Sequence, residues 1–393
     1  MGIAIHPPAE LSRGSVIDVG LHCPHACRFC YYKMNEGKDS TRPLATADFR
    51  NSSELFEILN CFPLHGYEHF DITGGEPSLH PDIVELVRHG CMELGIAGRL
   101  ITLGQFLLQR QYQGYLLADS LIEAGLSDLL FSVHAPDEKS FAYATGGSLA
   151  RLTAALEHFD SKGFQYGGNT VIWGGNAQLL PQIATKLLNH GFYIHNFILF
   201  NAYHGWNTAT KVDDMQVRYT SIVDPLTEAV QTLDEAGLAV NIRYAPYCVF
   251  PGLGRHIVGL SGLTYDPFEW RNRACSYNKP PEYCAMPLPI GSAYGITKCE
   301  KSSNSGIRII AQRGDAVKIF PEKCAMCAAF EACDGVSPLY LERFGDSELH
   351  PYDEFIMDGP LPASRTAYDR AFSYKKEPFA DMLAHNVISK TFN

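Results

Sequence analysis

Three cysteines near the start of the chain have the types and spacing for metal chemistry. Cys23, Cys27 and Cys30 lie in the segment LHCPHACRFCYYKMN, residues 21–35, separated by three and then by two residues. A short polar loop can aim three thiolates at one centre, and soft thiolates suit an iron–sulfur cluster or zinc. A four-iron cluster held by three cysteines keeps one iron open for another ligand. A structural zinc site needs four closed ligands, so zinc is the less economical alternative, with His22 and His25 interpreted as solvated or as neighbours of the ligands.

This loop and a second motif resemble one family. The pattern is CxxxCxxC with the aromatic Phe29 before the last cysteine, followed by DITGGEP at residues 71–77. Both are similar to motifs of the radical S-adenosylmethionine (radical SAM) enzymes. The resemblance implies a 4Fe-4S cluster whose open iron is chelated by the amino and carboxylate groups of S-adenosylmethionine. It also implies reductive cleavage to a 5'-deoxyadenosyl radical that abstracts hydrogen from a substrate, with Phe29, Gly74, Gly75 and Glu76 binding the cofactor.

Composition and charge exclude several classes of protein. The chain has 393 residues, a length within reach of one large α/β barrel plus a smaller module. Hydrophobic residues make up 46% and charged residues 19%, which predicts a packed core. The net charge of -11 and the lack of basic runs argue against nucleic acid. Neither a secretory signal nor an apolar run of about eighteen residues is present, so we expect a cytoplasmic protein with no membrane partner.

Strand and helix patterns alternate through the first part of the chain. Glycines just past predicted helix ends, such as Gly125, Gly163 and Gly237, are typical of left-handed C-caps. They mark a repeating unit of roughly thirty residues, which predicts parallel crossovers. About six or seven units are fewer than the eight of a closed TIM barrel, and the resemblance implies an α/β fold with a partial (β/α)6 TIM-like barrel. We assign residues 1–245 to this barrel.

Polar residues at the predicted strand ends are further candidates, because reactive groups collect at the carboxyl ends of parallel strands. The resemblance implies that Ser132 and Asn169 contact the ribose or carboxylate of S-adenosylmethionine, although both could equally be helix caps. The pair Gly174-Gly175 is a weaker candidate. The other strand-end candidates are Thr102, His134, Asn201 and Arg243.

The twelve cysteines form two groups at opposite ends of the chain, which indicates ligands rather than disulfides. Cys61 and Cys91, between the groups, are predicted to be core residues. Near the C-terminus, Cys324, Cys327 and Cys333 form CxxCxxxxxC, which resembles the SPASM or twitch extensions that carry auxiliary 4Fe-4S clusters.

The position where a full SPASM domain has its next cysteine is Ser337, so one auxiliary cluster is expected. Cys299 follows a predicted hairpin and is the preferred fourth ligand, with Cys275, Cys284 and Cys248 as alternatives. Four thiolates could also hold zinc. We assign residues 246–345 to this small iron–sulfur extension and residues 346–393 to a tail that packs on the barrel.

The substrate is less well defined by the sequence. The barrel begins near residue 15 with no preceding peptide-recognition domain, which favours a small molecule such as a sugar, nucleoside or amino-acid derivative. A radical SAM oxidoreductase is expected, of unresolved dehydrogenase, epimerase or cross-linking type, with an external electron donor such as flavodoxin or ferredoxin. An epimerase would need a hydrogen donor, for which Cys248 is the candidate. Residues that could face the substrate are His204, Trp206, Arg243 and Tyr244.

Two other functions remain open at this point. The first is a maturase that oxidises or cross-links a ribosomal peptide. The second is a non-catalytic structural metal-binding protein, which leaves the GGEP motif without a role.

Overall fold

The computed structural model of the chain describes residues 14–30, 32, 48–64, 67, 69–200, 215–258, 296–297, 300–301, 308–313, 318–330, 333 and 335–354. Six residues singled out in the sequence lie outside these ranges: Asn201, His204, Trp206, Cys275, Cys284 and Cys299.

The main sheet contains eight parallel strands in the order β1-β2-β3-β6-β7-β8-β9-β10. Each strand pairs with the next one along the chain, apart from a small hairpin inserted after β3. This order is that of a barrel left open between β1 and β10, which confirms the predicted α/β partial barrel. The described strands are β1 Gly14–Asp18, β2 His69–Thr73, β3 Ala97–Thr102, β4 Gln111–Tyr112, β5 Tyr115–Leu116, β6 Asp128–Ser132, β7 Tyr166–Ile172, β8 Phe192–Leu199, β9 Ala239–Arg243, β10 Ile257–Val258, β11 Ile296–Thr297, β12 Glu300–Lys301, β13 Arg308–Arg313 and β14 Lys318–Pro321.

The helices follow the strands and cover the outer face of the sheet. The described α-helices are α1 Ser52–Leu64, α2 Ile83–Arg88, α3 Leu117–Glu123, α4 Glu138–Thr145, α5 Leu149–Ser161, α6 Leu180–Leu187, α7 Val223–Glu235 and α8 Pro338–Phe344. Helix α2 passes directly into a π-helical turn at His89–Glu93. This turn brings Gly90 against Phe70, whose ring lies 2.5 Å from where a Cβ would be.

The two faces of the main sheet differ in chemistry because alternate side chains of a strand point to opposite faces. Phe70 and Ile72 of β2 belong to the apolar core beneath the helices. On the inner face, Arg99 donates from Nε and Nη2 to the two carboxylate oxygens of Asp71, both at 2.7 Å. Asp128 lies 3.9 Å from the same guanidinium group. The barrel interior is therefore polar at its base.

The C-terminal part contributes a four-stranded antiparallel sheet, in which β13 pairs with β11, β12 and β14. It contacts the barrel through α8, where the Tyr340 ring stacks on Tyr219 at 3.8 Å and 6°. Glu348, from the described part of the tail, accepts hydrogen bonds from the Tyr219 amide at 3.1 Å and the Thr220 hydroxyl at 2.6 Å. Among the described helices, we find none with the length and apolar character needed to cross a membrane.

Candidate functional site

The cysteine loop, residues 21–30, follows β1 and is joined to the GGEP segment, residues 74–77. The Gly75 amide donates to the Gly20 carbonyl at 2.7 Å, and the Glu76 amide donates to the His22 carbonyl at 2.8 Å. At Gly75, a Cβ would lie 2.6 Å from the Leu21 carbonyl oxygen and even closer to that of His22. Gly74 has a φ of +132°, which side chains disfavour. The two glycines of the motif therefore allow the two backbones to touch.

The other side of the cysteine loop is held by the end of α4. The amides of Ala26 and Arg28 donate to the carbonyls of Thr145 and Ala144 at 2.8 and 3.0 Å. Gly146 ends this helix with a φ of +70°, and a Cβ there would lie 3.1 Å from the Ala26 amide nitrogen. The loop is thus fixed between two elements that come from separate parts of the chain.

Cys23, Cys27 and Cys30 are all half-buried. Cys23 and Cys30 pack beside Tyr32, and the Cys27 thiol lies 3.9 Å from the Thr145 carbonyl. In the described part of the chain, no three Cys, His, Asp or Glu side chains are grouped so as to hold a single metal ion. Three thiols on one short loop nevertheless suit a cluster, in which each thiolate binds a different iron.

Glu76 is a buried carboxylate surrounded by donors. Its Oε1 accepts from the Thr102 hydroxyl at 2.6 Å and from the Ser78 amide at 3.2 Å. Its Oε2 accepts from the Leu103 amide at 3.1 Å and lies 3.9 Å from His25 Nε2. A carboxylate offers about four acceptor sites, so Oε2 has capacity for one more donor. This geometry suits an ammonium group next to the cysteine loop, as the family resemblance implies.

Aromatic side chains form an apolar wall behind the loop. Phe29 packs edge-on against His134 at 4.5 Å and lies 6.0 Å from Trp173. Burial lowers the pKa of His134 to about 3, and its Nδ1 accepts a hydrogen bond from the Val171 amide at 3.2 Å. The wall is therefore uncharged at neutral pH. A glycine is required at position 175, because a Cβ there would overlap the Trp173 ring.

Polar side chains cross the inner face of the barrel in register. Asn169 on β7 lies opposite Ser132 on β6 and Asn196 on β8. Asn196 in turn lies opposite Asn241 on β9. The side-chain amide of Asn196 donates from Nδ2 to Asn169 Oδ1 at 2.9 Å, and that of Asn241 donates from Nδ2 to Asn196 Oδ1 at 2.8 Å. Arg243 Nε donates to the same oxygen at 3.4 Å. We call these four residues, Asn169, Asn196, Asn241 and Arg243, the asparagine ladder.

Two members of the ladder, Asn196 and Asn241, were missed in the sequence. A signal was present, because asparagine is uncommon inside strands and recurs here in three neighbouring ones. Among the residues that were predicted, Thr102 is brought against Glu76, and Asn169 joins the ladder.

The cysteines of the C-terminal part meet a cysteine from the barrel. Cys248, Cys324, Cys327 and Cys333 line one cavity, which we call the C-terminal cysteine cavity. Burial and the nearby thiols of Cys333, Cys248 and Cys327 raise the pKa of Cys324 to about 12. Burial also raises the pKa of the Cys248 thiol. Cys299, the preferred fourth ligand in the sequence, lies outside the described residues.

Residues 17–180 match the model of the radical SAM superfamily. The chain carries a radical SAM domain. Its fold is similar to that of Streptococcus suis SuiB bound to S-adenosylmethionine, with a TM-score of 0.52 and 15% identity, over 89% of this chain and 77% of that one. The predicted family, the 4Fe-4S cluster and S-adenosylmethionine are thereby confirmed at the level of the domain, and the ligand residues stay predictions.

Two curated relatives are similar over different lengths. A PqqA peptide cyclase of Methylocella silvestris is 26% identical over 237 residues, 59% of each chain. A probable GTP 3',8-cyclase of Saccharolobus solfataricus is 31% identical over 130 residues, 33% of this chain and 38% of that protein. The matched part of the chain thus spans less than two thirds of the length of either relative.

Proposed function

We propose that this radical SAM chain is an enzyme that modifies a peptide. The observation that carries the proposal is the similarity to the PqqA peptide cyclase, which spans 237 residues and so extends beyond the radical SAM domain at residues 17–180. A match that includes regions outside the common domain supports a shared class of substrate better than a match inside it. The same fold has also been solved in S. suis SuiB bound to the precursor peptide SuiA, at a TM-score of 0.52 and 14% identity.

A small-molecule substrate has weaker support. The GTP 3',8-cyclase match spans 130 residues, which is shorter than the radical SAM domain itself. It can therefore reflect the shared domain alone. The expectation from the sequence rested on the barrel beginning near residue 15, and the first residue of a chain says nothing about how a substrate is bound.

Some residues of the site would bind the cofactors, and others would surround the reacting part of the substrate. Cys23, Cys27 and Cys30 would hold the cluster, and Glu76 with Gly74 and Gly75 would bind the amino group of S-adenosylmethionine. When bound, this pair of cofactors supplies hydrogen-atom abstraction. The apolar wall of Phe29, His134 and Trp173 would exclude water from the reacting atoms.

The asparagine ladder suits a peptide. Its amide groups both donate and accept hydrogen bonds, as a peptide backbone does. Ser132 and Asn169, at its edge, would contact the ribose or carboxylate of S-adenosylmethionine. The net reaction would be a two-electron oxidation or cross-link of the peptide, with S-adenosylmethionine as the oxidant. An external donor such as flavodoxin or ferredoxin would supply one electron to the domain, and the peptide would return one electron.

The test uses the reconstituted, reduced full-length protein with S-adenosylmethionine. One arm adds synthetic peptides encoded by short reading frames beside its gene, and the other adds GTP. We expect peptide-dependent 5'-deoxyadenosine and a peptide that has lost two hydrogens by mass spectrometry. Consumption of GTP with 5'-deoxyadenosine formation, and no modified peptide, would contradict the proposal.

A further inference from the structure

We propose that Cys248 is the fourth thiolate ligand of an auxiliary 4Fe-4S cluster whose other ligands are Cys324, Cys327 and Cys333. The inference goes beyond the peptide-modifying function, because it concerns a second metal site and holds for any substrate. It replaces both earlier roles for Cys248, as a hydrogen donor and as an alternative to Cys299.

Four cysteines from distant parts of the chain lie on the wall of one cavity. Cys248 follows β9 in the short helical turn Tyr247–Val249, far along the chain from the CxxCxxxxxC run. The structure nevertheless places all four cysteines on the wall of one cavity. The remaining wall is mostly apolar, with Phe320 and Phe330 among its members. Four cysteines that line one cavity supply a complete ligand set for a cluster.

Backbone amides donate hydrogen bonds to two of the four cysteine sulfurs. The Gly335 amide donates to Cys333 Sγ at 3.3 Å, and the Tyr352 amide donates to Cys327 Sγ at 3.4 Å. Hydrogen bonds to sulfur are a common way to stabilise thiolate ligands and set a cluster's potential. Only a glycine suits position 335. Its φ of +74° disfavours side chains, and a Cβ there would lie 2.5 Å from the Ile319 carbonyl oxygen.

The spacing of the thiolates differs between a zinc site and a cluster. Four thiolates bound to one zinc at about 2.3 Å lie about 3.8 Å from each other. No such closed group of ligands is found in the part of the chain that the structure describes. Four cysteines on the wall of one cavity, with no such closed group among them, fit a cluster better, because each thiolate would bind a separate iron atom. A cluster closed by four cysteines has no open iron, so it would transfer electrons and not bind the substrate.

The test counts metal in a background without the first cluster. In a Cys23/Cys27/Cys30 to Ala variant reconstituted anaerobically, we expect about four irons and four sulfides per chain. Adding Cys248→Ala should lower this to about three irons with the electron paramagnetic resonance signal of a three-iron cluster, or abolish binding. Adding Cys299→Ala should leave the count unchanged, and so should Cys61→Ala, a control on α1.

A second variant guards against misfolding. Cys248→Ser keeps the side-chain size and offers an oxygen ligand, so it should retain iron with a shifted visible spectrum, while far-ultraviolet circular dichroism checks the fold. Full iron content and an unchanged spectrum in both Cys248 variants would overturn the proposal. Loss of iron in Cys299→Ala alone, or one zinc per chain in place of iron, would overturn it too. These readouts are independent of turnover, so they stand even if the peptide substrate is wrong.

Discussion

Replacing Gly75 with alanine should damage S-adenosylmethionine cleavage much more than stability. A Cβ on Gly75 would lie 2.6 Å from the Leu21 carbonyl oxygen, whereas real Cβ contacts essentially never fall below 3.0 Å. The cysteine loop must therefore retreat by at least about 0.4 Å there, and by more at His22, which the Cβ would approach more closely. Both contacts are backbone atoms, so no side chain can rotate away.

The size of the effect follows from this displacement. A misplacement of about 1 Å at a reacting centre costs about 100-fold in rate, so we expect a loss of about 10-fold to 100-fold for Gly75→Ala. The assay is the initial rate of dithionite-driven 5'-deoxyadenosine release, normalised to bound iron. Gly75 lacks the positive φ of Gly74, so the alanine is opposed by the clash and not by backbone strain.

Gly95→Ala is the matched control. Gly95 has a φ of +68° with nothing within 4 Å of its Cβ position, so the same substitution should cost about 1 kcal/mol of stability through strain alone. Its release rate should equal that of the wild type. A wild-type rate in Gly75→Ala, or an equal loss in both variants, would refute the reasoning.

Three further substitutions test other parts of the account. Glu76→Gln puts an amide donor against the Thr102 hydroxyl or the Leu103 amide, so S-adenosylmethionine affinity measured by calorimetry should fall at least about 10-fold and unfolding free energy by about 1–3 kcal/mol. His195→Leu removes a buried histidine whose pKa burial lowers to about 3. Below about pH 6.5 only the unfolded state gains that proton, so the stability of the wild type falls as the pH is lowered. Between pH 6 and pH 5 the variant should lose about 1 kcal/mol less unfolding free energy than the wild type in urea titrations. Arg99→Met removes the guanidinium that pairs with the buried Asp71 carboxylate, which should cost about 3–5 kcal/mol in the same titrations.

Each of these has its own contradicting result. Unchanged affinity in Glu76→Gln would remove that residue from the cofactor site. The same pH slope in His195→Leu as in wild type would mean that this histidine is protonated in the folded state. For Arg99→Met, wild-type stability would contradict the structure, and Arg99→Met/Asp71→Asn should recover part of the loss because the remaining group is neutral.

Local patterns in the sequence predicted much of the barrel. Helical spacing and the terminal glycines marked most helices, and the two motifs marked where the strands end in the site. Helix α4 was missed even though its signals are present: Asp137 caps the Ser140 amide at 3.0 Å, and Gly146 ends the helix in the left-handed conformation. The small hairpin was missed as well, with Gln113 and Gly114 both at positive φ in its turn.

What the sequence could not provide is contact between distant segments. The cysteine loop depends on Thr145 and Ala144, more than a hundred residues away, and no local pattern indicates that pairing. The same holds for Cys248, which the sequence left as one of several candidates and which the fold brings to Cys324 and its neighbours. Such contacts follow from the packing of whole elements, so they appear only in three dimensions.

The most direct test of the central claim compares the wild type with the Cys23/Cys27/Cys30 to Ala variant after anaerobic reconstitution, with 5'-deoxyadenosine measured under dithionite and S-adenosylmethionine. The account predicts release by the wild type, none by the variant, and a difference of about four irons per chain. Bound zinc with no 5'-deoxyadenosine from well-reconstituted wild-type protein, or equal release from both proteins, would contradict it.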